Sequence, residues 1–171
     1  CDAGPDGTRV LRDELDRLDP GIAAEVFTAV TRHGADDPAL THVEKIHYLR
    51  RSSFFSRLGI QEGHVVAKSA AARRYADGDT VFDRGDCADA LYCVIDGVVE
   101  LGGPVPRAAS AGDVFGETGL RGEYLRAERA VSRGVRVLAV ANAPLLVEAR
   151  NHPRIAAVVF RNALDLEARS A

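Results

Sequence analysis

Residues able to do covalent or metal chemistry are present in this chain, but their spacing does not assemble them into a site. His33, His42, His47, His64 and His152 fall in segments that read as helices or linkers, at no metal-ligating spacing and beside no nucleophile motif. Ser110 and Ser132 lack the glycine context of a nucleophile elbow, and the Asp36–Asp37 carboxylates read as solvated loop. Cys1, Cys87 and Cys93 are odd in number, match no zinc spacing and read as thiols suited to a reducing compartment. The expectation is a chain that is not an enzyme and carries no metal and no cofactor. One stretch keeps chemical content: AGDVFGETGLRGEYLRAERAV, from Ala111 to Val131. There Glu117 follows Phe115 and Gly116, and Arg126 stands nine positions further on.

Charges nine positions apart act together only if the fold returns one to the other, so the surrounding elements matter. Leu11, Leu15 and Leu18 share a helical face, and Ile22, Val26 and Val30 share another after Pro20, which predicts two antiparallel helices. Gly34 to Pro38 reads as a loop, and a new helical pattern starts near Thr41 with Val43, Ile46 and Leu49, running on into Phe54, Phe55 and Leu58. From Arg73 the texture changes to short β-rich runs broken by glycine: YADGDTVFDRGD, ALYCVIDGVVEL and VRVLAV. Gly78 and Gly85 bracket Val81 and Phe82 as turn glycines, and Asp96–Gly97 between apolar runs predicts a hairpin turn. Helical patterning returns at Pro144 to Arg150 and again from Pro153 through Ala168, where Ile155, Val159 and Leu166 share a stripe with Phe160 and Ala163. The order helices, barrel, helices gives a fold class of α+β, mainly β: an antiparallel, jelly-roll-like β-barrel flanked by N-terminal and C-terminal helices. The expected boundary lies near residue 40, with residues 1–40 as an N-terminal helical segment and 41–171 as the main domain.

The pattern Gly78, Val81, Phe82, Gly85, Asp86 resembles the opening strands of cyclic nucleotide-binding domains. The stretch from Ala111 to Val131 resembles that family's phosphate-binding cassette, in which a Phe-Gly-Glu opening precedes a short helix and then an arginine. The resemblance implies a ligand-binding set of Phe115, Gly116, Glu117, Thr118, Gly119, Leu120, Arg126 and Ala127. A cyclic nucleotide offers one anionic phosphate and a ribose 2′-hydroxyl. Arg126 would supply charge-assisted hydrogen bonds to the first, worth about 1.5 to 3 kcal/mol, and Glu117 would accept from the second. Backbone N–H groups from Gly116 to Leu120 would add to the anion site.

Two departures from the pattern matter. The family places a small residue two positions after the arginine, where this chain has Glu128; at about 6 Å and an effective dielectric of about 20, its carboxylate would oppose a phosphate by about 3 kcal/mol. Either the chain carries Glu128 to solvent, or the register slips so that Arg129, followed by Ala130, is the phosphate ligand. Thr118 and Gly119 replace the usual apolar pair, which should loosen the cassette helix, since glycine costs about 1 kcal/mol against alanine.

The resemblance further implies cyclic AMP rather than cyclic GMP, because Ala127 stands where a threonine accompanies cyclic GMP. It makes the C-terminal helix a lid, with Phe160, Arg161, Leu164 and Arg169 as candidates, and makes the mechanism a population shift of cassette and helix. The net charge of -3 argues against a nucleic-acid partner, and no apolar run is long enough to span a membrane. Beginning at Cys1 without a methionine, the chain reads as cut from a longer protein. THVEKIHYLRRSSFFSRL resembles the entry to this domain behind bacterial helical repeats or transporters. The expected setting is therefore the cytoplasmic regulatory tail of a larger parent protein, with homodimerisation through the exposed helices as a further expectation. A ligand-free interaction module that has lost its site through Glu128 is the alternative.

Overall fold

The computed structural model describes residues 34–37 and 39–170, with side chains described as far as Asp165. The two helices expected before residue 31 lie outside the described residues, as do the side chains of Leu166 and Arg169. Six strands, all antiparallel, form one sheet: β1 (Ala35–Asp36), β2 (Ala70–Phe82), β3 (Ala90–Leu101), β4 (Arg107–Ser110), β5 (Val114–Phe115) and β6 (Ala130–Ala141). The order is β1-β2-β6-β3-β4, with β5 also paired to β3. The expected jelly-roll-like arrangement is present as an open antiparallel sheet with flanking helices. Helices α1 (His42–Arg51) and α2 (Ile60–Lys68) precede it, and α3 (Asn142–Asn151) and α4 (Pro153–Ser170) follow.

Both faces of the first half of β3 are buried, so Ala90–Ile95 reads as an unbroken apolar run whose alternate residues serve different cores. Ala90, Tyr92 and Val94 join Val81, Phe82, Val99, Leu101, Phe115 and Val137 in one cluster. Leu91, Cys93 and Ile95 join Leu138, Val140 and the helical residues Leu49, Val66, Leu145, Ile155 and Val159 in the other. The helices therefore cover one face, and the other face is left to close on itself around aromatic rings.

Local chemistry explains most boundaries. Thr41 caps α1 and Glu44 returns the bond to the Thr41 backbone, a complete capping box. The helical pattern read from Thr41 through Leu58 breaks at Ser52, and Phe54, Phe55 and Leu58 are buried in turns ahead of α2, a helix the sequence reading missed. Val43 is exposed, so the α1 stripe rests on Leu49 and the half-buried Ile46. The loop expected over Gly34 to Pro38 contains β1, which pairs with Arg73 and Arg74. On α4, Ile155, Val159 and Ala163 are buried as expected while Phe160 is exposed, which removes it from the core stripe.

Asp96–Gly97 is not a hairpin turn. Both residues lie inside β3, where the pairing to β6 shifts register on either side of them. Gly97 has φ 82, and a Cβ there would stand 1.9 Å from the Gly134 carbonyl oxygen on β6. The Asp-Gly pair therefore supplies a bulge that bends two paired strands together rather than a chain reversal. Cys93 is a buried free thiol whose pKa burial pushes up to about 12; Cys87 is disulfide-bonded, against the reading of all three cysteines as thiols.

Candidate functional site

The stretch singled out by sequence is assembled at the end of the aromatic cluster. β5 pairs Phe115 with Tyr92, and Gly116 turns the chain with φ 77 into a five-residue 3-10 helix, Glu117–Arg121. Gly122, at φ 87, ends it. The return segment is pinned by backbone bonds: Ala88 N–H donates to the Tyr124 carbonyl at 2.8 Å, Arg126 N–H to the Asp86 carbonyl at 2.8 Å, and Gly85 N–H to the Arg126 carbonyl at 2.9 Å. These bonds fix which arginine turns inward.

That arginine is Arg126. Its side chain is 1 % exposed. Nη1 donates to the Gly116 carbonyl at 2.7 Å and Nη2 to the Ala90 carbonyl at 2.6 Å. The guanidinium lies 4.3 Å from the centroid of the Phe82 ring and 5.6 Å from that of Tyr92, with Tyr92 stacked on Phe115 at 5.1 Å. Asp89 is the carboxylate in ion-pair range, at 3.6 Å. Glu117 is buried at 5 % exposure within electrostatic reach of the guanidinium, and among the described residues no hydrogen bond reaches its carboxylate. The fold has thus returned Arg126 to Glu117, the two charged residues of the sequence pattern. Phe82, Tyr92 and Asp89 complete the site and were not named as site residues from sequence; the alternation of ALYCVI, which puts Tyr92 on the face of Ala90, was the available signal for Tyr92.

Burial dominates the electrostatics here. It raises the pKa of Asp89 in spite of Arg126, and it lowers that of Arg126 in spite of Tyr92, Asp89 and Glu117. In a well-made ion pair each partner favours the other's charged form; here both are pushed toward neutrality, because attraction across 3.6 Å does not offset desolvation. Guanidinium does not give up its proton in a protein, so Arg126 stays a cation short of counter-charge. Its Nε is buried without a hydrogen-bond partner. Tyr92 is pushed up to about 12 by the same burial.

The remaining expected residues are placed as follows. Leu120 is buried against the helical core, Thr118 Oγ1 is buried without a partner, and Ala127 is exposed. Arg129 points away from the aromatic cluster: half exposed, it donates to Thr80 Oγ1 at 2.8 Å and lies 3.7 Å from Asp83. Glu128 is held by Arg107 at 3.1 Å, so its charge has a partner of its own. Phe160 and Leu164 flank a groove with Leu120, Arg121 and Glu123, which sets α4 beside the cassette helix; Arg161 is exposed. Among the described residues no group of three or more His, Cys, Asp or Glu could hold a metal, and no helix is long and apolar enough to cross a membrane.

No protein-family model matches the sequence and no curated protein matches it, so the likeness to known proteins rests on structure. The N-terminal domain of a transcriptional regulator from Streptomyces coelicolor superposes with a TM-score of 0.60 at 26% identity, covering 72% of this chain and 93% of that one. The catabolite activator protein of Thermus thermophilus matches with a TM-score of 0.59 at 29% identity over 70% of this chain and 58% of its own. The regulatory domain of Toxoplasma gondii PKA, crystallised with cAMP, gives 0.61 at 19% identity over 76% of this chain and 50% of its own. These likenesses give the chain the fold of cyclic nucleotide-binding domain proteins.

Proposed function

We propose that this chain is a regulatory domain that takes a cyclic nucleotide, with Arg126 as the phosphate ligand and Glu117 as acceptor for the ribose 2′-hydroxyl. One observation carries the reading: a buried guanidinium without adequate counter-charge and a buried carboxylate without a hydrogen bond are brought to the same end of the aromatic cluster. A cyclic phosphate supplies the missing negative charge and the adjoining hydroxyl supplies the missing donor. In the closed arrangement the Gly116 and Ala90 carbonyls stand where the phosphate would bond, so binding requires the cassette to open and its affinity is reduced by the fraction of time it is closed. Ala127 leaves no hydroxyl beside the arginine, which favours cyclic AMP over cyclic GMP. The domain would pass the change to a cytoplasmic parent protein, such as a transporter or helical-repeat protein, through α4, whose Phe160 and Leu164 lie beside the cassette helix.

The complete capping of both terminal nitrogens of Arg126 favours a second reading, a domain that keeps the fold, binds no nucleotide and serves as an interaction module. The two are separated by calorimetric titration with cyclic AMP and cyclic GMP of the wild-type chain, Arg126→Ala and Glu117→Gln. Saturable heat with cyclic AMP that disappears in Arg126→Ala and weakens about tenfold or more in Glu117→Gln supports the sensor. Absence of heat with either nucleotide supports the interaction module.

A further inference from the structure

The cassette helix rests on the first residue of α3. A Cβ built on Gly119 would stand 2.0 Å from the Ala88 carbonyl oxygen and 2.4 Å from Asn142 Nδ2. The backbone at Gly119 is not in the left-handed region, so space rather than conformation calls for glycine at this position. Asn142 Nδ2 donates to that same Ala88 carbonyl at 2.9 Å, and the Asn142 N–H donates to the Asp89 carbonyl at 2.8 Å. Asn142 therefore pins the turn that carries Asp89 and Ala90, two partners of Arg126, and the cassette helix sits on the same pin. Thr118 Oγ1 and Asn142 Oδ1 are both buried here without partners. A contact this close that leaves polar atoms unsatisfied on both sides is held by shape and gives up little hydrogen bonding when it opens.

We propose that the seat of Gly119 on Ala88 and Asn142 is a latch that decides whether Arg126 is capped or available. While Gly119 is seated, the Gly116 carbonyl three residues earlier is held on Arg126 Nη1. Unseating the helix withdraws that carbonyl and frees one terminal nitrogen. The Ala88 carbonyl is backbone, fixed by Asn142, and cannot retreat from an added methyl group. The consequence for nucleotide affinity rests on the reading of Arg126 as the phosphate ligand; the latch itself does not.

The test is hydrogen exchange measured by mass spectrometry without nucleotide, on the wild-type chain, Gly119→Ala and Asn142→Ala, followed by cyclic AMP titration of each. Gly119→Ala is expected to quicken exchange across residues 116–126 about tenfold while β2 and the middle of β6 stay protected. Cyclic AMP affinity should then rise severalfold, because less of the protein is capped. Exchange across 116–126 that stays within about twofold of wild type overturns the latch, whatever the titration shows. Quickened exchange without nucleotide heat keeps the latch and sinks the ligand assignment. Should Gly119→Ala fail to fold, Asn142→Ala decides by the same criterion, since it removes the side chain that holds the Ala88 carbonyl.

Discussion

Two arginine–aspartate pairs in this molecule, each with one fully buried side chain, are built on opposite terms. Near β1, the Asp37 carboxylate is 1 % exposed and receives Arg136 Nε at 2.8 Å and Nη2 at 2.7 Å, with Arg74 at 3.4 Å. Arg136 reaches on to Asp96 at 3.0 Å. The hydrogen bond from Arg136 holds the Asp37 carboxyl below its ordinary value, and Asp37 in turn raises Arg136, so each partner favours the other's charge. At the cassette, Asp89 and Arg126 stand 3.6 Å apart and burial pushes both toward neutrality. The first pair is complete and ties three strands together. The second is left short of charge, the condition in which a ligand can add what is missing.

The largest expected effect lies at the complete pair. Asp37→Asn leaves Arg136 and Arg74 without their shared carboxylate and should lower stability by about 3 kcal/mol in urea unfolding at neutral pH. Because the folded pKa of Asp37 is depressed, its contribution is present above the unfolded value of about 3.9 and is lost as pH falls through the folded one, so the variant should lose less stability on acidification than wild type. Equal losses in the two proteins would erase the contrast. At the incomplete pair, Arg126→Met keeps the contact with Phe82 and Tyr92 but leaves the Gly116 and Ala90 carbonyls without their donor, and should cost about 2 kcal/mol, a difference the same unfolding curves resolve. Asp89 reverses the pH argument: its folded pKa is raised, so its ionised form weakens the fold above that value, and the weakening disappears as pH falls through it. Asp89→Asn is therefore expected to raise stability slightly at neutral pH; a marked loss would mean that its charge is needed after all. The smallest effect belongs to Glu128. Glu128→Gln breaks a partly exposed ion pair with Arg107 and should change stability by about 0.5 kcal/mol, with nucleotide affinity shifting only a few fold, far less than an unpaired carboxylate facing a phosphate would produce.

Much of the site was legible because its signal is local. Phe115, Gly116 and Glu117 with Arg126 downstream are a contiguous pattern, and the structure buries Glu117 and Arg126 together. The choice of Arg126 over Arg129 was not legible, since it depends on backbone bonds from residues 85–88 to residues 124–126 that fix which side chain turns inward. The partner of Glu128 was hidden for the same reason: Arg107 is twenty-one residues away. Gly119, read from propensity as a loosening residue, is required by the approach of Ala88 and Asn142, and propensity carries no information about such a contact. Asp96–Gly97 misled because a glycine with positive φ serves a bulge as well as a turn, and the pairing of β3 with β6 that separates them is long-range. The helix α2 was missed where IQEGHVVAK offered a short run without a side-chain cap at Gly59.

Arg126, capped in the closed fold, is the group proposed to engage a cyclic phosphate. The most direct measurement is the two-dimensional 1H–15N spectrum of the arginine side chains with and without cyclic AMP, the Arg126 Nε signal being assigned by its loss in Arg126→Lys. This signal, from an N–H with no hydrogen-bond partner in the closed structure, is expected to shift on saturation while those of Arg133 and Arg136 stay in place. An Arg126 signal that does not move at saturating nucleotide, or nucleotide heat that persists in Arg126→Ala, would contradict that role.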